Sequence, residues 1–308
     1  ANRCIFVINE LPDLQARIQV ALFNILQEGD IQIRGFKLRL PLDMQFIFTA
    51  NPEDYTNRGS IVTPLKDRIG SQIFTHYPKS IAIARQITEQ EAKVTGTDKS
   101  LISIPDVAKN LLEGISFEAR ESEYVDAKSG VSARLTISAM ENLMAAAKLR
   151  LIETKSKETT VRLIDFISVI PSITGKIELV YEGEQEGADE VAKLLIDKSV
   201  MTEFEKIFPR IPKLEKEGLK TPYTDLINWF DSDFIELNYN DKDNEFFKSL
   251  ESIKPLVAIV KKYASHLSKK DQLFSMEIVL WALSINNKLD KSESDNIHKF
   301  DSAQSSFV

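Results

Sequence analysis

Five consecutive apolar residues, Cys4-Ile5-Phe6-Val7-Ile8, constrain this chain more than any other feature. A continuous apolar run closed by the polar pair Asn9-Glu10 reads as a strand buried on both faces, the situation of a central strand in a parallel α/β sheet. The run is too short for a secretory signal and no cleavage-type segment follows it. A central strand as the first element, without an initiator methionine, leads us to expect the rear part of a larger protein.

Helical and strand periods alternate after this run. Pro12 suits the start of a helix, where its missing N–H costs nothing. Leu14, Ile18, Ala21, Leu22, Ile25 and Leu26 recur at helical spacing, and Gly29 reads as the C-terminal cap. Ile31, Ile33, Phe36, Leu38 and Leu40 then alternate with Gln32, Arg34, Lys37 and Arg39 around Gly35, which predicts a β-hairpin with a basic face. A second buried strand is expected from Met44 to Thr49, running into Asn51-Pro52. A short helix is expected over Thr63–Arg68 and a third strand over Gln72–Tyr77.

Beyond Pro78 helical periods dominate, at about 80–94, 105–118, 133–153, 187–207, 245–265 and 271–287, with a helix or half-helix over Thr160–Val169. Glu182–Glu186 reads as an acidic loop and Pro209–Pro222 as a linker. The polar tail from Lys288 is expected to be disordered. The fold class is therefore α/β followed by all-α. Its expected parts are a partial α/β core over 1–80, a helical region over 81–208 and a helical extension over 209–308.

Composition excludes several roles. The 308 residues carry 39 Lys and Arg against 46 Asp and Glu, a net charge of −7, which argues against a broad nucleic-acid surface. No apolar run approaches a membrane span. One cysteine and three scattered histidines give neither a disulfide framework nor a zinc-ligand spacing, and a cytoplasmic protein is expected.

Four motifs stand in a definite order: the strand ending in Asn9-Glu10, the strand ending in Thr49-Ala50-Asn51-Pro52, Leu65-Lys66-Asp67-Arg68, and Gly130-Val131-Ser132-Ala133-Arg134 opening a helix. In this order the chain resembles the rear two-thirds of a AAA+ ATPase, and more narrowly the magnesium-chelatase ATPase subunit and MoxR-type group. The resemblance is strongest over 1–80, extends to about 200, and includes the hairpin before the second strand. Pro171-Ser172-Ile173-Thr174-Gly175-Lys176-Ile177-Glu178 is also similar to relatives of this group. It implies a rear AAA+ core with a presensor hairpin, a helical lid and a helical extension. It also implies ATP and Mg²⁺ as cofactors, a ring of subunits expected to be a hexamer, and work on a client. In this group the partner often carries a von Willebrand-type metal-binding domain.

The resemblance assigns each motif a task. Glu10 matches the acid that orients the attacking water, the general base. Asn9 stands where the pattern usually has aspartate; its amide oxygen can still accept from a metal-bound water but carries no charge. Asn51 matches sensor 1, Arg68 the arginine finger that reaches a neighbouring subunit's γ-phosphate, and Arg134 sensor 2, with Ser132 as cap of its helix. Arg58 is a weaker candidate for the same interface. Each residue also has a plainer reading. Glu10 suits a helix N-terminus, Asn51 suits a turn, Arg68 could pair with Asp67, and Arg134 could be an exposed helix arginine.

A phosphate-cradling loop needs Gly-x4-Gly-Lys followed by Ser or Thr. The only Gly-Lys pair, Gly175-Lys176, is followed by Ile177, and Ile170 stands where the first glycine belongs. Glycine totals 11, about half the usual share. The chain alone is expected to bind ATP poorly. The alternative is a non-hydrolysing scaffold that kept the sheet and lid, favoured by Asn9 and opposed by retention of Glu10, Asn51, Arg68 and Arg134 together. A DNA-linked motor is disfavoured by the acidic charge. Arg34, Lys37 and Arg39 are expected to solvate a hairpin face, and Phe204, Phe208, Trp229 and Trp281 to be core. Glu182, Glu184 and Glu186 are not expected to hold a cation, and Cys4 is expected to be inert packing.

Overall fold

A computed structural model describes residues 2–32, 39–51, 60–212, 220–294 and 297–303. The chain divides into two compact units, Ala1–His76 and Tyr77–Val308. It is mixed α/β, with many helices and small parallel and antiparallel sheets.

In the first unit the apolar run forms β1 (Cys4–Ile8). A 3-10 turn, Leu11–Asp13, holds Pro12 and precedes α1 (Ala16–Glu28), so the helix starts later than Pro12 suggests. Gly29 ends α1 at φ 63°, a left-handed position that costs glycine nothing, and its N–H donates to Ile25. The hairpin strands β2 (Asp30–Gln32) and β3 (Arg39–Pro41) pair antiparallel. Arg34, Gly35 and Lys37 lie outside the described residues, as do Pro52 and Arg58. β4 (Met44–Phe48) pairs parallel with β1, Ile8 opposite Phe48. The short α2 (Thr63–Lys66) follows.

Two expectations fail here for one physical reason. β1 is not buried on both faces: Ile5 is 64% and Val7 51% exposed, and Cys4 is exposed as well. Gln72–Tyr77 forms no strand, and Ile73 and Phe74 are exposed. Apolar runs become buried strands only when a partner edge and a covering layer meet them. Among the described residues of this unit the sheet has two strands, and Phe6 and Phe46 pack edge-on at 5.6 Å across it. Buried residues are few, chiefly Leu11, Leu65 and Gln19.

The second unit holds one continuous core. Its elements are α3 (Ile81–Glu91), α4 (Gly96–Leu101), β5 (Ile102–Ser103), α5 (Asp106–Glu121), α6 (Arg134–Glu153) and β6 (Thr159–Thr160). A 3-10 segment, Leu163–Val169, then leads into α7 (Ile170–Thr174), α8 (Tyr181–Glu186), α9 (Ala188–Ile207), α10 (Thr224–Phe230) and β7 (Ile235–Asn238). The chain ends with α11 (Asp243–Ser252), α12 (Lys254–Tyr263), α13 (Lys269–Ile285), β8 (Leu289–Ser294) and β9 (Ile297–Ser302). Gly114 lets α5 lie against α9: a Cβ there would stand 2.4 Å from Ser199 Oγ, which donates to the Leu111 carbonyl at 2.7 Å.

Four sequence expectations are corrected in this unit. The acidic stretch Glu182–Glu186 is the helix α8, held because buried Gly183 lies against the Tyr124 carbonyl. The 245–265 pattern is two helices, broken at Ile253 where Pro255 begins the next one. The described residues of the tail from Lys288 are ordered. They form β8 and β9, which with β7 make an antiparallel sheet in the order β7-β9-β8. Its inner positions Leu289, His298 and Phe300 are buried. The described start of Pro209–Pro222 is packed: Ile211 is buried, and the fully buried Tyr223, just past the segment, donates to the Pro209 carbonyl at 2.5 Å. The aromatic expectation holds for Phe204, Phe208 and Trp281, which are buried, and Trp229 packs at the core's edge.

Candidate functional site

The carboxyl ends of β1 and β4 lie side by side, and open parallel sheets place ligands at such ends. Thr49 joins them. Its N–H donates to the Ile8 carbonyl at 3.0 Å, and its carbonyl accepts from Leu11 N at 2.9 Å. Its hydroxyl accepts from the Glu10 N–H at 3.0 Å and faces Asn9 Oδ1 at 3.4 Å. These bonds fix Asn9 and Glu10 beside the Thr49-Ala50-Asn51 segment. All five residues are exposed, so their side chains are open to a ligand.

Glu10 itself is strained. Its φ of 51° and ψ of 55° are left-handed, a conformation that costs an ordinary residue roughly 1–2 kcal/mol. The geometry turns the chain sharply from β1 into the 3-10 turn below α1. Sequence reasoning gave roles to Asn9, Glu10 and Asn51 but none to Thr49, whose hydroxyl orders Asn9 and Glu10. A hydroxyl at the end of a strand, beside the motif residue, was the available signal.

Arg68 is placed elsewhere. Its Nε and Nη2 donate to Gln27 Oε1 at 3.1 and 2.7 Å, and Nη1 donates to the Pro64 carbonyl at 2.7 Å. Its guanidinium also lies 5.2 Å from the Phe23 ring centre. Gln27 is at the last turn of α1, whereas Glu10 precedes its first. The 13 residues of α1 span about 20 Å, so the two side chains do not share one intramolecular site. The salt bridge with Asp67 considered for Arg68 is not what holds it. Gln19, buried within α1, accepts from Val62 N at 2.9 Å and donates to Ser60 O at 3.1 Å, which anchors the approach to α2.

Arg134 belongs to the second unit, at the first position of α6, with its side chain exposed. Its N–H donates to Ser132 Oγ at 3.1 Å, so Ser132 serves the helix start from one residue before the cap position, Ala133. Arg120 fixes the preceding loop. It lies 4.2 Å from the Tyr77 ring centre and donates to the Val131 carbonyl at 3.1 and 3.2 Å, while Tyr77 Oη accepts from Val131 N.

A buried ionic cluster in the second unit escaped sequence reasoning. Arg150 pairs with Asp165, both sealed from solvent, and also donates to the Thr160 carbonyl at 2.8 Å. Arg162 donates to Asp243 at 2.8 Å and to the Asp241 carbonyl at 2.6 Å, and lies 4.0 Å over Phe246. Glu277 accepts from Leu163 N at 2.9 Å, and burial pushes its carboxyl up to about 8. Burial also pushes the Tyr239 hydroxyl up to about 12. The signal was a charge inside an apolar helix face, as in Met276-Glu277-Ile278-Val279. Arg150, Arg162, Asp165 and Glu277 are buried, Asp243 is partly exposed, and the cluster ties α6, α11 and α13 together.

Among the described residues no group of three His, Cys, Asp or Glu could hold a metal ion. Asn9 and Glu10 offer one amide oxygen and one carboxylate, a donor set that suits a cation shared with phosphate oxygens rather than one caged by protein alone. No helix among the described residues is long and apolar enough to cross a membrane.

No protein-family profile matches this chain, and no curated protein matches it. Among solved structures, a chain from Cytophaga hutchinsonii named a "putative ATPase" is similar at 19% identity and a TM-score of 0.26. The match covers 63% of this chain and 65% of that one. A likeness at that TM-score carries no argument for a shared activity.

Proposed function

We propose that residues 1–76 supply the water-orienting part of an ATP-hydrolysing site of AAA+ type, in a protein that acts as a ring. The observation that carries this reading is the Thr49 hydroxyl that ties Glu10 and Asn9 to the end of β4, two residues before Asn51, at the ends of two parallel strands. A strained, exposed acid at such a place has a use in orienting water toward a γ-phosphate. Asn9 would hold a water of the bound Mg²⁺, and Asn51 would bond the γ-phosphate or the attacking water. The metal's chemistry, when bound, is to neutralise the developing phosphate charge. The phosphate cradle is not among these 308 residues, so other residues complete the site.

Arg68, held at the far end of α1, suits action across a subunit boundary, where its fork would stabilise transition-state charge. Arg134 would be the sensor 2 arginine of the lid. The output we propose is mechanical: remodelling or metal loading of a client protein, as in the chelatase and MoxR-type group, with a von Willebrand-type domain as partner and six subunits in the ring. The competing reading is a scaffold that binds without hydrolysis, favoured by the uncharged Asn9.

The test is phosphate release from Mg²⁺-ATP by the protein expressed from its own gene and purified as an assembly. Turnover that depends on assembly supports the proposal. Absence of turnover at saturating ATP favours the scaffold.

A further inference from the structure

The sheet at the end of the second unit carries charges on the face it buries. His298 lies on the central strand β9, opposite Leu237 of β7 and Glu293 of β8. Lys291 of β8 is opposite Phe300, two residues along on the same face. Against this face packs Trp281 of α13. Its ring centre is 5.5 Å from that of His298 and 3.4 Å from Lys291 Nζ. Trp281 Nε1 donates to Asp197 of α9 at 2.7 Å. His298 is 2% exposed, and its Nε2 makes no hydrogen bond, with Glu293 Oε1 standing 3.6 Å away.

The surroundings favour a neutral imidazole. Burial lowers its proton affinity first, and the Lys291 ammonium lowers it further, while the half-exposed Glu293 opposes both. From α9, Asp197 acts on Lys291, and Lys193 acts on Lys291 and Glu293. From β7 the opposite residue is the apolar Leu237. Lys299, next along β9, is on the other face, over Phe234 at 4.6 Å. A proton on His298 would put a second cation beside Lys291, where the acids are the half-exposed Glu293 and Asp197, which already accepts from Trp281.

We propose that His298 is an acid-sensitive latch whose protonation releases the β8–β9 hairpin from Trp281 of α13. An imidazole held neutral when the hairpin is closed binds a proton more readily once it lifts. The closed state therefore keeps its stability above the ordinary histidine range and loses it as pH falls through and below that range. This inference is independent of the function proposed for residues 1–76.

Trp281 is the built-in reporter, since the chain has two tryptophans and Trp229→Phe leaves it alone. In that background, acidification from about pH 7.5 to about pH 5 is expected to shift Trp281 emission to the red. Amide exchange over 289–294 and 297–302, corrected for intrinsic rate, is expected to rise on the order of tenfold while α5 stays protected. His298→Gln is expected to abolish both responses. If that variant does not fold, Lys291→Met is expected to weaken them, because a proton on His298 is then tolerated in place. An unchanged Trp281 signal over this range overturns the proposal. So does a wild-type response in His298→Gln or in Lys291→Met.

Discussion

Arg68 donates to Gln27 through two nitrogens at once, both to the same amide oxygen. That clasp places the guanidinium at the opposite end of α1 from Glu10 and gives the arginine a fixed direction. If Arg68 serves a neighbour's nucleotide, Arg68→Ala lowers turnover of the gene product by on the order of 10³ while ATP affinity changes little. Mixing Arg68→Ala with Glu10→Gln subunits then restores measurable turnover, because some boundaries regain one intact acid and one intact arginine. Phosphate-release assays on the single and mixed preparations check both statements.

Glu10 stays left-handed because Thr49 and the chain entering α1 hold it there. Glu10→Gly removes the strain and stabilises the first unit by about 1 kcal/mol, whereas it removes the carboxylate on which the proposed turnover would depend. A variant more stable to urea yet inactive is the expected pair of results. Thr49→Val removes the acceptor for Glu10 N and lowers stability by about 1 kcal/mol.

Glu277 sets a pH dependence of its own. Its folded pKa, about 8, lies above the ordinary 4.5, so the fold favours the protonated acid. Its contribution is fully present below about 4.5 and is lost as pH rises from there through about 8. Glu277→Gln keeps an acceptor for Leu163 N and carries no charge. It should match wild type at about pH 4 and exceed it by on the order of 5 kcal/mol above about pH 8. Thermal melts across that range read the difference.

Arg150→Met leaves Asp165 sealed without its cation. The expected loss is about 3–5 kcal/mol, the usual result of breaking a buried pair from one side. Denaturant unfolding of the second unit measures it. A loss below about 1 kcal/mol, the range of exposed pairs, would mean that the pair is not buried in solution.

Much of the architecture was legible because local signals agreed with tertiary ones. Gly29 could end α1 by its left-handed freedom, and the periodicity of 133–153 matched a helix that buries Leu135, Ala139, Leu143 and Ala147. Asn9, Glu10 and Asn51 were legible as strand-end polar residues, but their ordering by Thr49 required the β1–β4 register. Other features were set by contacts no local pattern records. Gln72–Tyr77 had the composition of a strand and found no edge among the described residues. Lys288 onward looked polar because its strands alternate charged and buried positions, and only the pairing of β9 with β7 and β8 shows which face is covered. Arg150 and Arg162 are charges in ordinary helical or loop sequence whose burial follows from packing, whereas Glu277 left a trace as a charge in the apolar run Met276–Val279.

The central claim rests on Glu10 as the residue that orients water. Its direct measurement is the fate of radiolabelled ATP on the assembled Glu10→Gln gene product, followed in a single-turnover experiment beside wild type. Retained, unhydrolysed ATP on an intact assembly, with wild type releasing phosphate, is the predicted result. Phosphate release at the wild-type rate from Glu10→Gln would contradict the account.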